Sequence, residues 1–178
     1  DSEAFFFDFI AAQYEAGCRQ FTIHARKAWL KGLSPKQNRD VPPLNYQRVY
    51  RLKQLYPDCQ VIINGGIGAV GEVQNHLSHV DGAMLGRAIY QNPYSLHVMD
   101  QALGQAKTAL SRAALIERYL PYVEDQLRQG VRLCQITPHL MGMYHGQPRG
   151  RLWRKYLTEQ ARYQHAGVDV IERALRQF

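Results

Sequence analysis

Cysteine is scarce in this chain of 178 residues, and the chain contains no Cys-x-x-Cys pair. The three cysteines, Cys18, Cys59 and Cys134, are an odd number at wide spacing. Such a set argues against a disulfide framework and a zinc site, and it favours a reducing compartment. We therefore expect no bound metal, a cytoplasmic protein, and cysteines that act as small buried apolar residues.

Long apolar runs and the common hydrolase motifs are also missing. No apolar run approaches the roughly 20 residues that a membrane span requires, so no membrane partner is expected. The sequence has no Gly-x-Ser-x-Gly, no His-Glu-x-x-His and no phosphate-binding P-loop. These absences argue against a serine hydrolase, a zinc protease and a P-loop nucleotidase. The chain is also too short for a complete (β/α)8 barrel, which takes about 250 residues.

The charge of the chain is divided unevenly along its length. Residues 1–104 carry 10 Lys/Arg and 9 Asp/Glu, whereas residues 105–178 carry 12 Lys/Arg and 6 Asp/Glu. A basic module beside a nearly neutral one is typical of proteins that bind polyanions. The alternative is an arginine-rich helical surface with no such role.

The first part of the chain alternates predicted strands and helices, which favours an α/β fold with a parallel sheet or part of a barrel. The expected helices are 4–16, 46–56, 69–78 and 87–96, and the expected strands are 20–25, 60–63 and 82–85. After about residue 103 the pattern predicts only helices, over 110–127, 131–144, 151–163 and 168–177, and Pro138 is expected to break or begin the helix within 131–144. The sequence therefore predicts three βα units in residues 1–104 and a module of four helices in residues 105–178.

Two short glycine turns follow two of the predicted strands. Asn64-Gly65-Gly66 comes after the apolar run 61–63, and Gly86-Arg87 comes after the run 83–85. Backbone N–H groups at glycine turns, the start of a following helix and an arginine together suit a phosphate dianion. In (β/α)8 barrels the loops after strands 7 and 8 commonly bind such a phosphate. The alternative is two ordinary turns in which glycine permits tight geometry.

His24 and Arg26 lie where the first predicted strand ends. Because they are two residues apart on an extended chain, their side chains leave it on the same side. Binding groups gather at this end of barrel strands, so an imidazole there is suited to donate to a ligand carbonyl or phosphate. The alternative is a histidine that makes only local hydrogen bonds.

Two basic segments stand out as candidates for binding nucleic acid. The loop over 27–39 carries four basic residues around Trp29, which suits an RNA backbone and a splayed base. In the predicted helix 151–163, Arg151 and Arg154 are spaced i, i+3 and share a helix face, which suits successive phosphates. The alternatives are a solvated loop anchored by its tryptophan and an ordinary charged helix face.

Several of these segments carry a family resemblance. They are IHARKAWLKGLSPKQNR (23–39), VPPLNYQRVYRLK (41–53), INGGI (63–67), DGAMLGRAIYQNP (81–93) and RLWRKYL (151–157). Together they closely resemble the A-type tRNA-dihydrouridine synthases over nearly the whole chain. The resemblance implies the C-terminal part of an FMN-binding (β/α)8 TIM barrel, about three βα units, followed by an all-α helical-bundle domain that binds tRNA.

The resemblance also implies a reaction and its cofactors. The family reduces uridine to 5,6-dihydrouridine in the tRNA D-loop, with NADPH as reductant acting through FMN. Its catalytic cysteine belongs to the first half of the barrel, and none of the three cysteines here stands in that motif. We therefore expect no catalytic residue in this chain, no activity of the chain alone, and a partner that is the N-terminal half or a second copy.

The matching motifs also imply roles for individual residues. The resemblance implies that His24 contacts FMN, that Asn64, Gly65 and Gly66 bind its phosphate region, and that Gly86 and Arg87 bind the phosphate. It further implies that tRNA is contacted by Lys36, Arg39, Arg151 and Arg154. Two other readings stay open: an FMN-dependent barrel oxidoreductase that acts on a small molecule, and a non-catalytic RNA-binding remnant.

Overall fold

A computed structural model describes residues 3–29 and 31–177 of the chain. The residues outside this description are 1, 2, 30 and 178. All four fall within the predicted domains, and residue 30 also falls within the basic loop. The chain divides into two compact units, Asp1–Leu85 and Gly86–Phe178. That division falls earlier in the chain than the domain boundary expected after residue 104, and the domain boundary itself stays a prediction.

The first unit contains a parallel three-stranded sheet in the order β1-β2-β3. Its strands are β1 (Gln20–His24), β2 (Gln60–Asn64) and β3 (Gly82–Met84), and its helices are α1 (Glu3–Glu15), α2 (Tyr46–Leu55) and α3 (Val70–Leu77), with a short 3-10 helix at Gln37–Arg39. The mixed α/β class and the parallel pairing are as the sequence predicts.

The apolar pattern of the sequence accounts for the packing of this sheet. Val61 and Ile63 of β2 alternate along the strand and are fully buried. Val49 and Leu52, which are spaced i, i+3 on α2, are buried as well. The helix begins where the Asn45 side chain accepts a hydrogen bond from the Arg48 N–H at 3.1 Å, as a helix N-cap does.

In the second unit every regular element of the described residues is helical. The elements are α4 (Arg87–Gln91), α5 (Tyr94–Ala102), α6 (Arg112–Arg128), α7 (Leu133–Ile136), a 3-10 helix (Thr137–Tyr144), α8 (Gly150–Gln160) and α9 (Val168–Gln177). Their core is centred on Trp153, which is fully buried and donates from its indole N–H to the Leu140 carbonyl at 3.0 Å.

Two of the predicted helices are divided at a proline; the division of 131–144 at Pro138 was expected, whereas 87–96 was wrong as a single helix. The expected helix 87–96 is α4 followed by α5, because Asn92 precedes Pro93 and has a non-helical backbone (φ −140°, ψ 79°), which a following proline favours. The expected helix 131–144 is α7 followed by the 3-10 helix, in which Pro138 stands near the start.

Two searches of the described residues gave negative results. Within residues 3–29 and 31–177, no helix is both long and apolar enough to cross a membrane. Across the same ranges, no three His, Cys, Asp or Glu side chains come together as a metal ion requires.

Candidate functional site

The carboxyl ends of the three strands lie at one edge of the sheet. His24 at the end of β1 is paired in register with Asn64 at the end of β2, and Asn64 is paired with Met84 at the end of β3. The Asn64 carbonyl also accepts a hydrogen bond from the Ala25 N–H at 2.7 Å. The sheet therefore brings together the candidate residues that follow β1 and β2.

His24 is held in a defined tautomer by its own strand end. Its Nδ1 atom accepts a hydrogen bond from the Arg26 backbone N–H at 3.1 Å. In a neutral imidazole an accepting Nδ1 leaves the proton on Nε2, so Nε2 is the nitrogen that donates. The expected contact of His24 with a ligand stays a prediction.

The Gly65-Gly66 turn needs glycine at both positions. Gly65 has φ of +117° and Gly66 has φ of +72°, which side-chain-bearing residues adopt at a cost. A Cβ on Gly65 would stand 3.2 Å from His24 Cε1, and a Cβ on Gly66 would stand 2.7 Å from Leu44 Cδ1. The glycines are therefore required by the close approach of the chain itself, and they bring His24 against the turn.

Hydrogen bonds from neighbouring helices fix this turn. The Tyr46 hydroxyl of α2 donates to the Gly65 carbonyl at 2.8 Å. The Glu72 carboxylate of α3 accepts from the N–H groups of Gly68 and Ala69 at 2.8 and 2.9 Å, and these hydrogen bonds lower the pKa of Glu72. Glu72 therefore fixes the two residues that lead into α3, and the expectation that the start of this helix serves a phosphate stays a prediction.

The N–H groups of Gly65 and Gly66 differ from those of Gly68 and Ala69, which donate to Glu72. Among the residues that the structure describes, the N–H groups of Gly65 and Gly66 have no backbone acceptor. These two N–H groups are donors that the turn offers to an anion.

Gly86 and Arg87 begin the second unit, where Gly86 is the N-cap of α4. No heavy atom within the described ranges lies within 4 Å of the position that a Gly86 Cβ would take. The backbone of Gly86 has φ of −114°, so neither a left-handed backbone nor crowding by the chain accounts for glycine at this position. Open space beside the backbone is what a ligand that approaches it closely needs.

A cavity of about 490 Å³ opens beside His24. Its lining combines three phenylalanines of α1 with Arg26, Lys27 and Arg48, and the Arg48 guanidinium lies over the Phe6 ring, 4.9 Å from its centroid. The Nε atoms of Arg26 and Arg48 are buried and have no hydrogen-bond partner among the described residues. The cavity itself combines aromatic rings with cationic side chains, a lining that suits an anionic ligand.

The basic loop after β1 is ordered by side-chain hydrogen bonds. Asn38 accepts from the Trp29 N–H at 2.7 Å and donates to the Trp29 carbonyl at 2.9 Å. Trp29 is 43% exposed, and Lys36 and Arg39, at the two ends of the 3-10 helix, are exposed as well. The loop thus presents an aromatic ring and two cationic residues at its surface.

Arg151 and Arg154 lie on α8 in the second unit, and both are exposed. Among the described residues neither guanidinium is in an ion pair, whereas Lys155 is 3.9 Å from Glu159. Arg149 precedes the helix with φ of +63°, the one left-handed backbone found at a described residue other than glycine. Left-handed strain at a side-chain-bearing residue is common at functional sites.

Three residues of these sites were missed by the sequence analysis. Tyr46 fixes the glycine turn, Glu72 accepts from the two N–H groups just before α3, and Arg48 lines the cavity beside His24. Glu72 had a readable signal, since a glutamate in the first turn of a helix commonly accepts from the amides before it. Tyr46 and Arg48 had none, because their contacts join segments far apart in the sequence.

Comparison with known proteins now bears on these sites. The family model described as dihydrouridine synthase (Dus) matches residues 1–178. The chain is 51% identical over 175 residues to a tRNA-dihydrouridine(20/20a) synthase of Shewanella oneidensis, with 98% of this chain and 52% of the relative covered. It is 50% identical over 170 residues to the protein of the same name in Synechocystis sp., with 94% and 51% covered.

A third relative of that name, from Pasteurella multocida, is 47% identical over 176 residues, with 98% of this chain and 54% of the relative covered. The chain therefore spans about half the length of the curated relatives it matches. These matches confirm the resemblance drawn from the motifs: the chain belongs to the dihydrouridine synthase family.

Proposed function

We propose that this chain is the C-terminal part of a flavin-dependent tRNA-dihydrouridine synthase, an oxidoreductase that reduces uridine to 5,6-dihydrouridine in the D-loop of tRNA. The observation that carries the proposal is the 51% identity over 98% of the chain to a relative of that name. We extend to it the 20/20a specificity that the relatives carry in their names. The tRNA substrate and the NADPH reductant belong to the same proposal.

The fold that we propose is the last three βα units of a (β/α)8 barrel in residues 1–104 and an all-α tRNA-binding domain in residues 105–178. Support comes from the parallel order of β1, β2 and β3, since each is joined to the next by a segment that contains a helix, as in a barrel. The second part is supported by the absence of strands among its described residues.

The residues present fit FMN by their chemistry. A flavin mononucleotide needs donors for its phosphate and its ring carbonyls, and the strand ends supply the N–H groups of Gly65 and Gly66 and Nε2 of His24. The cationic lining of the cavity beside His24 adds attraction for an anion. We propose that Asn64, Gly65 and Gly66 bind the phosphate region and that Gly86 and Arg87 bind the phosphate, as the motifs imply.

When bound, FMN supplies hydride transfer between NADPH and the uridine ring. The residues of this chain bind and orient. His24 donates a hydrogen bond from Nε2 toward the cofactor, and Arg26 ties the loop after β1 to the strand end, because its guanidinium donates to the carbonyls of Asp40 and Pro42. Lys36 and Arg39 on that loop, and Arg151 and Arg154 on α8, bind phosphates of the tRNA.

The sheet edges support a polypeptide partner for this chain. Among the described strands β1 and β3 are each paired on one side only, and unpaired strand edges invite further pairing. Phe5 and Phe9 of α1 are 63% and 54% exposed. We propose that the other half of the barrel, or a second copy, covers these surfaces, and we expect no FMN to bind to the chain alone at micromolar concentrations.

Reconstitution tests the activity. The chain is mixed with FMN, NADPH, an unmodified tRNA transcript and the part of the Shewanella relative that this chain does not match, and dihydrouridine is measured in the recovered tRNA. We expect dihydrouridine only when both polypeptides are present. In the matched control, the relative's own matching part replaces this chain. Product in that control but none with this chain would overturn the proposal.

Binding of tRNA tests the role of α8 separately. We expect the dissociation constant of the chain for a tRNA transcript to rise steeply with salt, and R151A or R154A to reduce the slope of log K against log salt by about 1 each. The control is R128A, since Arg128 is paired with Asp125 on α6. An equal effect of R128A would contradict a specific role for α8, and a chain that binds no tRNA would favour a small-molecule substrate.

A further inference from the structure

Two clefts in the second unit lie on either side of Arg154. One has a volume of about 290 Å³ and is lined by residues that include Tyr90, Gln91 and His145. The other has a volume of about 430 Å³ and is lined by residues that include Thr158 and Arg162. Both clefts share Pro138, Met141 and Arg154, so the exposed guanidinium side chain stands at the divide between them.

We propose that these clefts are a binding site for two successive nucleotides of single-stranded RNA, with Arg154 on the phosphate that joins them. The proposal rests on the tRNA-binding function proposed above and adds a base-binding site to it. In this site Tyr90 and His145 stack on one base, and the second cleft takes the neighbouring nucleotide.

The first cleft offers aromatic rings suited to stacking. Tyr90 is 61% exposed, and its ring meets the His139 ring edge to face with centroids 5.8 Å apart, which restrains the tyrosine. His145, also exposed, supplies a second ring to the same cleft. Exposed aromatic rings beside cations are how proteins bind unstacked bases, because every base has a π face.

The backbone under this cleft is fixed by a close approach. A Cβ on Gly142 would stand 2.3 Å from the Gln91 carbonyl oxygen and 2.8 Å from Pro93 Cδ. The 3-10 helix that contains Gly142 therefore packs directly on the end of α4. This contact sets the distance between Tyr90 on α4 and His145, which ends the 3-10 helix, so the cleft exists before any ligand binds.

Charge favours an anionic chain over any other occupant. Neither cleft has an acidic residue among those that line it. Arg162 adds a second cation to the larger cleft, and a third is near, because Arg132 donates to the Arg162 carbonyl at 3.1 Å. Thr158 adds a hydroxyl to the larger cleft. This hydroxyl donates to the Arg154 carbonyl at 2.7 Å, so it lies close to the arginine that both clefts share. A row of cations with aromatic rings on one side matches a nucleotide chain and not an acidic peptide.

The experiment measures the dissociation constant for an unmodified tRNA transcript, by fluorescence anisotropy at several salt concentrations. We expect Y90A and H145A each to weaken binding by roughly five- to hundred-fold, the range found for loss of one stacking ring. In Y90A and H145A the slope of log K against log salt concentration stays unchanged because no phosphate contact is lost. In R154A that slope is lowered by about 1. Y90F retains the ring and is expected to restore the affinity.

The control is Y163A, because Tyr163 is 68% exposed in the same unit and lines neither cleft. Its affinity is expected to match that of the unaltered chain. Suppose that Y90A and H145A bind tRNA as tightly as Y163A while R151A and R154A weaken binding. The proposal that the clefts bind bases is then overturned, and the proposal that α8 binds tRNA stands. If the unaltered chain binds no tRNA, both proposals are overturned.

Discussion

Replacement of Gly66 by alanine tests the glycine turn at the strand ends. Gly66 has φ of +72°, and an alanine Cβ there would stand 2.7 Å from Leu44 Cδ1 and 3.3 Å from the Tyr46 hydroxyl. A left-handed backbone costs an L-residue about 1–2 kcal/mol. The Cβ also displaces Leu44, and overpacking of this kind costs about 1–3 kcal/mol. Because Leu44 is only half-buried, the low end of the overpacking range applies, whereas the full backbone range is kept.

We therefore expect G66A to lower the local stability around β2 by about 2–3 kcal/mol. The measurement is hydrogen exchange of the amides of β2, Gln60–Asn64, resolved by peptide. If exchange follows the opening equilibrium, those amides exchange about 30- to 150-fold faster in G66A than in the unaltered chain. The amides of α8, in the other unit, are expected to keep their rates.

A second glycine in the same unit provides the matched control. Gly71 lies in α3 with no positive φ, and no described atom is within 4 Å of the position of its Cβ. Alanine in a helix is favoured over glycine by about 0.5–1 kcal/mol, so G71A should slow exchange slightly. The same chemical change thus has opposite signs at two nearby sites. If G66A and G71A shifted exchange in the same direction, the argument from backbone and crowding would be refuted.

Two further predictions concern stability. An alanine at Gly150 places a Cβ 2.2 Å from the Tyr144 carbonyl oxygen, so G150A should lower the stability of the second unit by about 1–3 kcal/mol, seen as a lower thermal midpoint by circular dichroism. Burial raises the pKa of Asp81, but hydrogen bonds from the Val61 N–H and from Lys53 outweigh it and the pKa is lowered. The carboxylate therefore stabilises the fold above the unfolded pKa of about 3.9, and that contribution is lost as pH falls through the lower folded pKa. D81N should flatten this acid limb in urea unfolding, and an unchanged limb would contradict the assignment.

Much of the fold could be predicted because its signals are local. The strand β2 follows from an apolar run of β-branched residues, and α9 was predicted with the bounds 168–177 that the structure has. The missed break between α4 and α5 was equally local, since a proline disfavours helix at the residue before it, and Pro93 was readable in the sequence.

The site was predictable only in part because its decisive contacts are not local. The glycine turn and His24 were identified as candidates from their places after strands. The sequence does not show that Leu44 and His24 crowd the glycine turn. Leu44 reaches the turn only because the loop between residues 26 and 44 folds back and pairs Leu44 with Arg26. Glu72 accepts from the two N–H groups just before α3 in one particular side-chain rotamer, and a sequence motif does not specify a rotamer.

Cations of equal formal charge have two different uses in this chain. In both units some of them donate to backbone carbonyls and so hold loops in place, as Arg26 does to Asp40 and Pro42 and as Arg112 does to Met143. Other cations form ion pairs, and those described on α6, α8 and α9 join residues three or four apart on one helix. Pairs of that kind stabilise their own helix by a few tenths of a kcal/mol and neutralise charge locally. Arg151 and Arg154 take no part in the ion pairs described on α8, and exposed cations of this kind are what the proposed contact of α8 with RNA phosphates needs.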